Sequence, residues 1–320
     1  MKKQFSHISV VIQGPVQNYQ ERSQLEGITK KCLLSIRKHL PGATIILSTW
    51  HGQDISELEY DKLVFSDDPG QNNDGYCPVN YYRQIMSTKA GLDCVITPYA
   101  VKLRSDNYLT GNEFVSIQKL FPKNSSPGQI FKEKVVINSN LFRRTSNGHR
   151  VIFNASDFFY YGLTSDLKLI WDQPPFTEQI FCNDLLAKSA LRRKGYKALE
   201  AEQVYCQIWL KRLTEQAPLM MHRYDVSKPD LKFWDEFLAN NIIIAEPEMM
   251  GLGLRPASIR KFKRANEYSH LDWLKLYGKH CEKQQQVPFS SEQLSLDLRR
   301  LFKLPISKLY TKIKMWNKLG

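Results

Sequence analysis

Short apolar runs alternate with longer amphipathic stretches along the N-terminal third of the chain. Ile8-Ser-Val-Val-Ile12 is a β-branched run that stops at Gln13-Gly-Pro15, which is typical of a buried parallel strand leaving its sheet. Residues 28–39 carry apolar side chains at helical spacing, and the runs 43–47 and 62–65 predict two further strands. This alternation predicts an α/β fold with a parallel sheet and helices on both faces.

The stretch Tyr99-Ala-Val-Lys-Leu-Arg-Ser-Asp-Asn107 predicts the next strand and its exit. Alternation places Lys102, Arg104 and Asp106 on one face of the strand if it persists that far. Ligands of parallel α/β sheets bind beyond the carboxyl ends of the strands, where Asp106 can meet a metal-bound diphosphate. An ordinary Asp-Asn turn at the end of a strand explains the same residues.

The pattern changes near Pro229, after which helical periodicity dominates. Before that point, apolar spacing and turn residues predict helices and strands in alternation, and residues 203–210 fit either element. The predicted elements are a short helix at 54–60, helices at 78–91, 111–121, 165–171 and 178–194, and strands at 135–138 and 153–162. We predict a sheet-containing domain at residues 1–230 and a helical extension at residues 231–320.

Composition narrows the class of protein. Hydrophobic residues make up 42% of the 320 residues and the net charge is +13, so we expect a globular protein with an anionic partner. The six cysteines form no CxxC pair, which favours reduced thiols in the cytoplasm. The apolar run near the start of the chain is too short for the core of a signal peptide, and no apolar run is long enough to span a membrane.

Several common catalytic motifs are missing from the sequence. It contains no G-x-x-x-x-G-K-[ST], no G-x-G-x-x-G after a strand, no G-x-S-x-G and no H-E-x-x-H. Their absence argues against the common nucleotide triphosphatases, Rossmann oxidoreductases, α/β-hydrolases and zinc proteases.

Polar residues at the strand exits are the remaining candidates for a nucleotide site. Backbone beside Gly14 can approach a ligand closely, and Trp50 can stack on a base or serve as an ordinary core aromatic. Arg83 and Arg104 can pair with phosphate through their guanidinium groups. Asp68 precedes Pro-Gly, so it fits either a plain turn or a contact with ribose or base.

Seven strings in the first 110 residues form a recognisable set. The strings are Ser9-Val-Val-Ile-Gln-Gly-Pro15, Cys32-Leu-x-Ser-Ile-Arg37, Leu40-Pro-Gly-Ala-x-Ile-Ile-Leu-Ser-Thr-Trp50, Asp68-Pro-Gly70, Arg83-Gln-Ile-x-Ser-Thr88, Gly91-Leu92 and Lys102-Leu-Arg-Ser-Asp106. Together they resemble the WavE family of lipopolysaccharide-synthesis proteins, and the resemblance extends more loosely to about residue 178.

The resemblance implies a bacterial glycosyltransferase with a GT-A-like, Rossmann-like nucleotide-sugar domain. It would act in lipopolysaccharide core, O-antigen or capsule assembly. Together with the strand exits it predicts a nucleotide-sugar site formed by Gln13, Gly14, Pro15, Trp50, Asp68, Arg83, Gln84, Arg104, Ser105 and Asp106.

Metal binding and proton transfer have separate candidates. Asp106 can hold Mn²⁺ or Mg²⁺, although Arg104 stands where the first acid of a DxD motif would be, and His222 is a possible second ligand. An inverting transfer needs a carboxylate base, for which Glu178 and Asp157 are the candidates. Glu178 also fits a helix N-terminus, and Asp157 also fits a turn or strand edge.

The basic C-terminal tail, residues 294–320, is amphipathic and interrupted by Pro305, which predicts a break or kink. It can pack on the main domain or lie on an anionic membrane surface. We therefore expect a cytoplasmic protein, which is peripheral on the inner membrane face if the tail lies on the membrane. Its expected partners are a nucleotide-sugar donor and a lipid-linked or oligosaccharide acceptor. The alternatives are a non-catalytic membrane-associated assembly factor and a nucleic-acid-binding protein. Of these, the second is disfavoured because much of the positive charge lies in the tail, so we expect no nucleic acid partner.

Overall fold

A computed structural model describes most of the chain. The described residues are 4–17, 27–70, 72–73, 78–122, 128–172, 199–220, 222–259, 263–282 and 287–316. Within them the strands are β1 Ile8–Gln13, β2 Thr44–Trp50, β3 Lys62–Ser66, β4 Asn72–Asn73, β5 Pro78–Val79, β6 Tyr99–Arg104, β7 Tyr108–Leu109, β8 Val135–Asn138, β9 Thr145–Ser146, β10 His149–Arg150, β11 Phe159–Leu163, β12 Ile242–Ala245 and β13 Leu252–Gly253. The helices are α1 Ile28–His39, α2 Tyr81–Asp93, α3 Glu113–Leu120, α4 Thr164–Trp171, α5 Ala201–Leu213, α6 Lys228–Asn241, α7 Pro247–Met250, α8 His270–His280 and α9 Ser291–Trp316.

Seven strands form one central sheet in the order β12-β8-β11-β6-β1-β2-β3. All neighbouring pairs are parallel except those made by β11, which runs antiparallel to both β6 and β8. Six strands therefore point the same way, and their carboxyl ends share one edge of the sheet. The predicted α/β fold with a mostly parallel sheet and C-terminal helices is confirmed.

The central strands are buried on both faces, as their continuous apolar runs predict. Every residue of β1 is buried, and α2 lies directly on this part of the sheet. A Cβ atom at Gly91 would overlap Val11 and crowd Ser48, so glycine allows the close approach of helix and strands. This packing sets the start of α2 at the carboxyl edge.

The structure corrects several predicted elements. Residues 54–60 form turns and irregular backbone rather than a short helix, and the strand predicted at 153–162 is confined to β11. Residues 203–210 lie within α5, and their buried side chains explain why periodicity alone did not separate helix from strand. α9 continues through Pro305, so the predicted break is absent.

The segment after residue 230 contributes to the sheet. β12 pairs with β8 in parallel register, and its side chains belong to the same hydrophobic core as β1 and β6. Residues 242–245 are therefore part of the sheet-containing unit, on the C-terminal side of the predicted boundary.

Candidate functional site at the carboxyl edge of the sheet

The carboxyl edge collects the polar strand exits that the sequence singles out. β1, β6 and β2 end there at Gln13, Arg104 and Trp50, and the antiparallel β11 begins there just after Asp157. The chain runs from β1 to β2 on one side and later enters β6 on the other side. Such a reversal of strand order opens a crevice that commonly holds ligands in α/β proteins.

Gly14 and Ser105 form the floor of this crevice. Gly14 has φ of 123°, and a Cβ atom there would lie 3.0 Å from Ser105 Oγ. Ser105 Oγ donates to the carbonyl oxygen of Pro15 at 2.7 Å, and its backbone N–H donates to the Gln13 carbonyl at 3.0 Å. The two exits are thus tied together, and the positive φ and close approach of Ser105 favour glycine at position 14.

A buried charge cluster lies next to this floor. Arg104 donates to both oxygens of Asp106, with Nε to Oδ1 at 3.0 Å and Nη2 to Oδ2 at 2.8 Å. Arg255 Nη1 donates to Asp106 Oδ2 at 2.9 Å. Both guanidinium groups lie over the Phe158 ring, with Cζ at 4.9 Å from the centroid for Arg104 and 5.5 Å for Arg255. Two cations therefore converge on one carboxylate.

Asp157 extends the cluster toward α2. Its Oδ2 accepts from Gln84 Nε2 at 2.7 Å and from Arg104 Nη1 at 2.9 Å. Its backbone carbonyl accepts from the ammonium group of Lys102, which is wholly buried and lies 4.7 Å from the Trp171 ring centroid. Three donors on three side chains therefore fix the position of Asp157.

Burial and charge shift the ionisation of these groups. Burial raises the pKa of Asp106, but Arg104 and Arg255 outweigh it and hold that pKa below its ordinary value. Burial, opposed only in part by Asp157, lowers the pKa of Lys102 to about 7. Burial also disfavours the charged form of Arg104, yet Asp106 and Asp157 raise its pKa above the ordinary value. Asp106 and Arg104 are accordingly an ion pair at neutral pH.

A second Arg–Asp pair lies on the other side of the crevice. Arg83, in the first turn of α2, donates through Nε to Asp68 Oδ1 at 2.6 Å, and Nη1 donates to Asn80 Oδ1 at 3.1 Å. Asp68 also caps the turn before Gly70 by accepting from its backbone N–H at 2.9 Å. The side chains of Arg83 and Asp68 are 29% and 38% exposed, so a ligand can reach this pair.

Gln13 and Trp50 occupy buried positions at the ends of their strands. Gln13 Oε1 has no hydrogen-bond partner within the described part of the chain. A buried acceptor in that state fits a site that a ligand or water completes. Trp50 is only 6% exposed.

The arrangement around Asp106 is a poor fit for a metal ion. Both of its oxygens already accept from guanidinium groups, and Asp157 also accepts from Arg104. Among the described residues, no group of three His, Cys, Asp or Glu side chains has metal-binding geometry. His222 Nδ1 accepts from the Tyr224 backbone N–H at 3.2 Å. Mn²⁺ or Mg²⁺ at Asp106 therefore stays a prediction that requires an arginine to move.

Arg255 belongs to the site but was missing from the prediction. β7 follows Asp106 and Asn107, and it pairs with β13 so that Tyr108 lies opposite Gly253. The same antiparallel register brings Arg255 opposite Asp106, and the Arg255 backbone N–H donates to Asn107 Oδ1 at 3.2 Å. No local sequence signal joins residues so far apart along the chain.

Glu202 is a second residue that sequence reasoning missed. It lies in the first turn of α5 and is partly exposed. Burial, followed by the charges of Asp157 and Glu200, raises the pKa of Glu202 to about 7. A carboxyl group with such a pKa can exchange protons at neutral pH. Glu178, the other candidate base, lies outside the described residues.

A cleft of about 1080 Å³ opens on the same side of the molecule. Asn140 and Glu246, which follow the carboxyl ends of β8 and β12, line one wall, and Ser295 and Arg299 of α9 line another. Leu254, the neighbour of Arg255, also lines it. The cleft therefore lies between the carboxyl ends of β8 and β12 and the C-terminal helix.

A mostly parallel α/β sheet with a polar crevice at its strand reversal defines a protein of the ligand-binding α/β class. The model of the family described as WavE lipopolysaccharide synthesis matches residues 8–306. The chain belongs to this family, which confirms the resemblance seen in its N-terminal strings. No curated protein matches the sequence significantly.

Solved structures show only remote likeness. A Bacillus anthracis protein provisionally assigned as a glucose-1-phosphate thymidylyltransferase, in complex with sucrose, is 10% identical with a TM-score of 0.34, covering 58% of this chain and 83% of that one. HddC from Yersinia pseudotuberculosis is 10% identical with a TM-score of 0.32, covering 52% and 80%. Mannose-1-phosphate geranyltransferase from Thermus thermophilus is 10% identical with a TM-score of 0.32, covering 63% and 68%. At these TM-scores the likeness carries no inference about activity.

Proposed function

We propose that the chain is a glycosyltransferase that moves a sugar from a nucleotide-sugar donor to a lipopolysaccharide core, O-antigen or capsule acceptor. The observation that carries the proposal is the crevice between β1 and β6, where glycine backbone adjoins a cluster of arginines. Membership of a lipopolysaccharide-synthesis family supports a sugar substrate.

The donor diphosphate would lie across the crevice. Backbone at Gln13, Gly14 and Pro15 would approach the nucleotide, since Gly14 has no side chain to exclude it. Arg83 would bind phosphate from the rim, because its guanidinium is accessible there. Arg104 and Arg255 would stabilise the charge of the departing diphosphate, a role that otherwise falls to a metal ion.

The acceptor would enter from the side of Asp157. This carboxylate is held by Gln84 and Arg104, so it is placed to orient a sugar hydroxyl. Asp157 would take the proton if the transfer inverts, and Glu202 is a second candidate, because burial and the nearby charge of Asp157 raise its pKa to about 7. Glu178 stays an alternative base that the described residues leave untested.

A thermal-shift screen tests the donor half of the proposal. The full chain is heated with UDP-, GDP-, dTDP- and CMP-sugars, each with and without Mn²⁺. One nucleotide sugar should raise the midpoint in a saturable way, since a ligand at 100 times its Kd stabilises by about 2.7 kcal/mol. A rise that requires Mn²⁺ supports the metal prediction, and a rise without it supports the arginine-based site. No shift with any donor overturns the proposal.

A further inference from the structure

A continuous apolar stripe runs along the solvent side of α9. Its side chains are between 50% and 68% exposed. The members are Leu294, Leu298, Leu301, Phe302, Ile306, Leu309, Tyr310 and Ile313. Exposed apolar surface of this extent on one helix marks an interaction site rather than ordinary surface.

The stripe is turned outward because the opposite side of α9 is fixed to the body of the protein. Leu296 and Thr311 are buried there, at 1% and 4% exposure. Arg300 donates to Asp272 Oδ1 at 2.9 Å and to the carbonyl oxygen of Glu267 at 2.7 Å. With about 3.6 residues per turn, these anchors lie roughly opposite the centre of the stripe. The helix therefore cannot bury its apolar face by rotating in place.

Basic side chains flank the stripe on both sides. Lys308 and Lys312 lie along one border of the stripe on the helical wheel, and Lys303 lies along the other. All three are exposed and make no ion pair within the described part of the chain. The sequence after Asp297 contains seven Lys or Arg residues and no Asp or Glu. The flanks thus complement an anionic surface along the whole second part of the helix.

We propose that this face of α9 docks on an anionic membrane surface, with its apolar stripe in the interface and its lysines beside lipid phosphates. The amphipathic pattern and basic flanks are those of helices that lie in the plane of a membrane. Phe289, 86% exposed just before α9, adds an apolar anchor at its start. No described helix is long and apolar enough to cross a bilayer, so contact through this face is peripheral. The proposal does not depend on the reaction.

Vesicle co-sedimentation of the full chain tests the proposal. Binding should be strong to vesicles that mix phosphatidylcholine with phosphatidylglycerol and weak to phosphatidylcholine alone, and it should weaken as salt rises. The double substitution Leu301→Ser, Phe302→Ser should reduce binding roughly tenfold or more, since two exposed apolar anchors are lost. Lys308→Gln with Lys312→Gln should reduce binding to the anionic vesicles by a similar factor.

Matched variants elsewhere on the surface control for general effects. Ile96→Ser with Leu120→Ser removes two other exposed apolar side chains, and Lys38→Gln with Lys119→Gln removes two other exposed lysines. Both should bind vesicles as the wild type does. Equal loss in test and control variants, or no binding by the wild type, overturns the proposal. Dimerisation that Leu301→Ser, Phe302→Ser abolishes, without vesicle binding, identifies a second copy as the occupant and also overturns it.

Discussion

At the scale of single residues, Asp106 decides whether the arginine cluster can exist. Its carboxylate is 2% exposed and compensates two guanidinium groups that lie in a largely buried site. A buried ion pair is not by itself strong evidence for stability, but removal of one partner leaves the other charge uncompensated. Asp106 therefore has a structural role that must be separated from any role with substrate.

Asp106→Asn keeps the shape of the side chain and removes its charge. We expect it to lower the free energy of unfolding by about 3 kcal/mol or more, because Arg104 and Arg255 lose their main anion. Urea denaturation measures the change. Asp61→Asn is the matched control: Asp61 pairs with both terminal nitrogens of Arg37 at 2.8 and 2.9 Å, but the pair is 38–41% exposed. Equal losses in the two variants would contradict this account of the cluster.

Glu202 predicts a pH dependence of stability. Its pKa is raised to about 7 in the folded protein, whereas the pKa of an unfolded glutamate is about 4.3. Between these two pH values the folded state holds a proton that the unfolded state has released. Stability from this group is complete at low pH and is lost as pH rises through about 7. Glu202→Gln should therefore be more stable than the wild type at pH 8, by about 3–4 kcal/mol, and nearly equal to it at pH 4.

Denaturation curves of both proteins across this pH range provide the measurement. Glu248→Gln, which neutralises an exposed glutamate, should show no such pH-dependent difference. A constant gap between Glu202→Gln and the wild type at all pH values would refute the raised pKa.

At the scale of elements, one buried arginine makes a dense set of polar contacts that help to attach α9. Arg300 is 6% exposed and bonds Asp272 of α8, Asp297 of its own helix and two backbone carbonyls. These contacts cross from α9 to α8 and to the loop before it. Loss of the side chain would therefore weaken the attachment of the helix while leaving its apolar stripe intact.

Arg300→Ala should cost about 2 kcal/mol or more and expose α9 to limited proteolysis, because the buried Asp272 loses its closest cation and keeps only Arg144 as a charged partner. Arg299→Ala removes the neighbouring arginine, which is not buried, and should cost less than about 1 kcal/mol. Chemical denaturation and trypsin cleavage rates measure both effects. Similar cleavage of α9 in the two variants would show that Arg300 is not its anchor.

Elements with a strong local pattern could be predicted from sequence. β1, α1 and β6 are recovered within a few residues, because continuous apolar runs and helical spacing are local signals. The antiparallel direction of β11 and the insertion of β12 into the sheet were not foreseen. The direction of β11 is set by its pairing with β6 and β8, and the position of β12 by its pairing with β8, and local spacing does not reveal these pairings.

The residues of the candidate site also fall into those that the sequence could predict and those that it could not. Arg104 ends a strand and Gly14 and Asp106 follow strands, so their meeting at one edge could be inferred from the chain order. Arg255 reaches Asp106 only through the register of β7 with β13, and Glu202 gains its raised pKa only from burial beside Asp157. Those environments exist only in the folded chain.

At the scale of the whole molecule, the cleft links the carboxyl edge of the sheet to the C-terminal helix. Residues that follow β8 and β12 line the 1080 Å³ cleft, and α9 forms part of its wall. If α9 docks on a membrane, the cleft lies beside the lipid surface. This arrangement would suit an acceptor carried by a lipid, which connects the two proposals without making either depend on the other.

Arg83 allows the central claim to be tested without disturbing the buried cluster. Its pair with Asp68 lies at the rim of the crevice, whereas Arg37 makes a similar pair with Asp61, just before β3 begins, at the opposite end of the sheet. Each pair is partly exposed, so each substitution by alanine should cost about 1 kcal/mol or less in stability. Of these two arginines, only Arg83 would contact a donor diphosphate.

The most direct measurement is the release of nucleoside diphosphate from the donor found by thermal shift, with a bacterial glycan extract as acceptor. The wild type and Arg37→Ala should release it at the same rate, and Arg83→Ala should be slower by roughly tenfold or more, since a charge-assisted phosphate contact is lost. Absence of release by the wild type, or equal rates for Arg83→Ala and Arg37→Ala, would contradict the account.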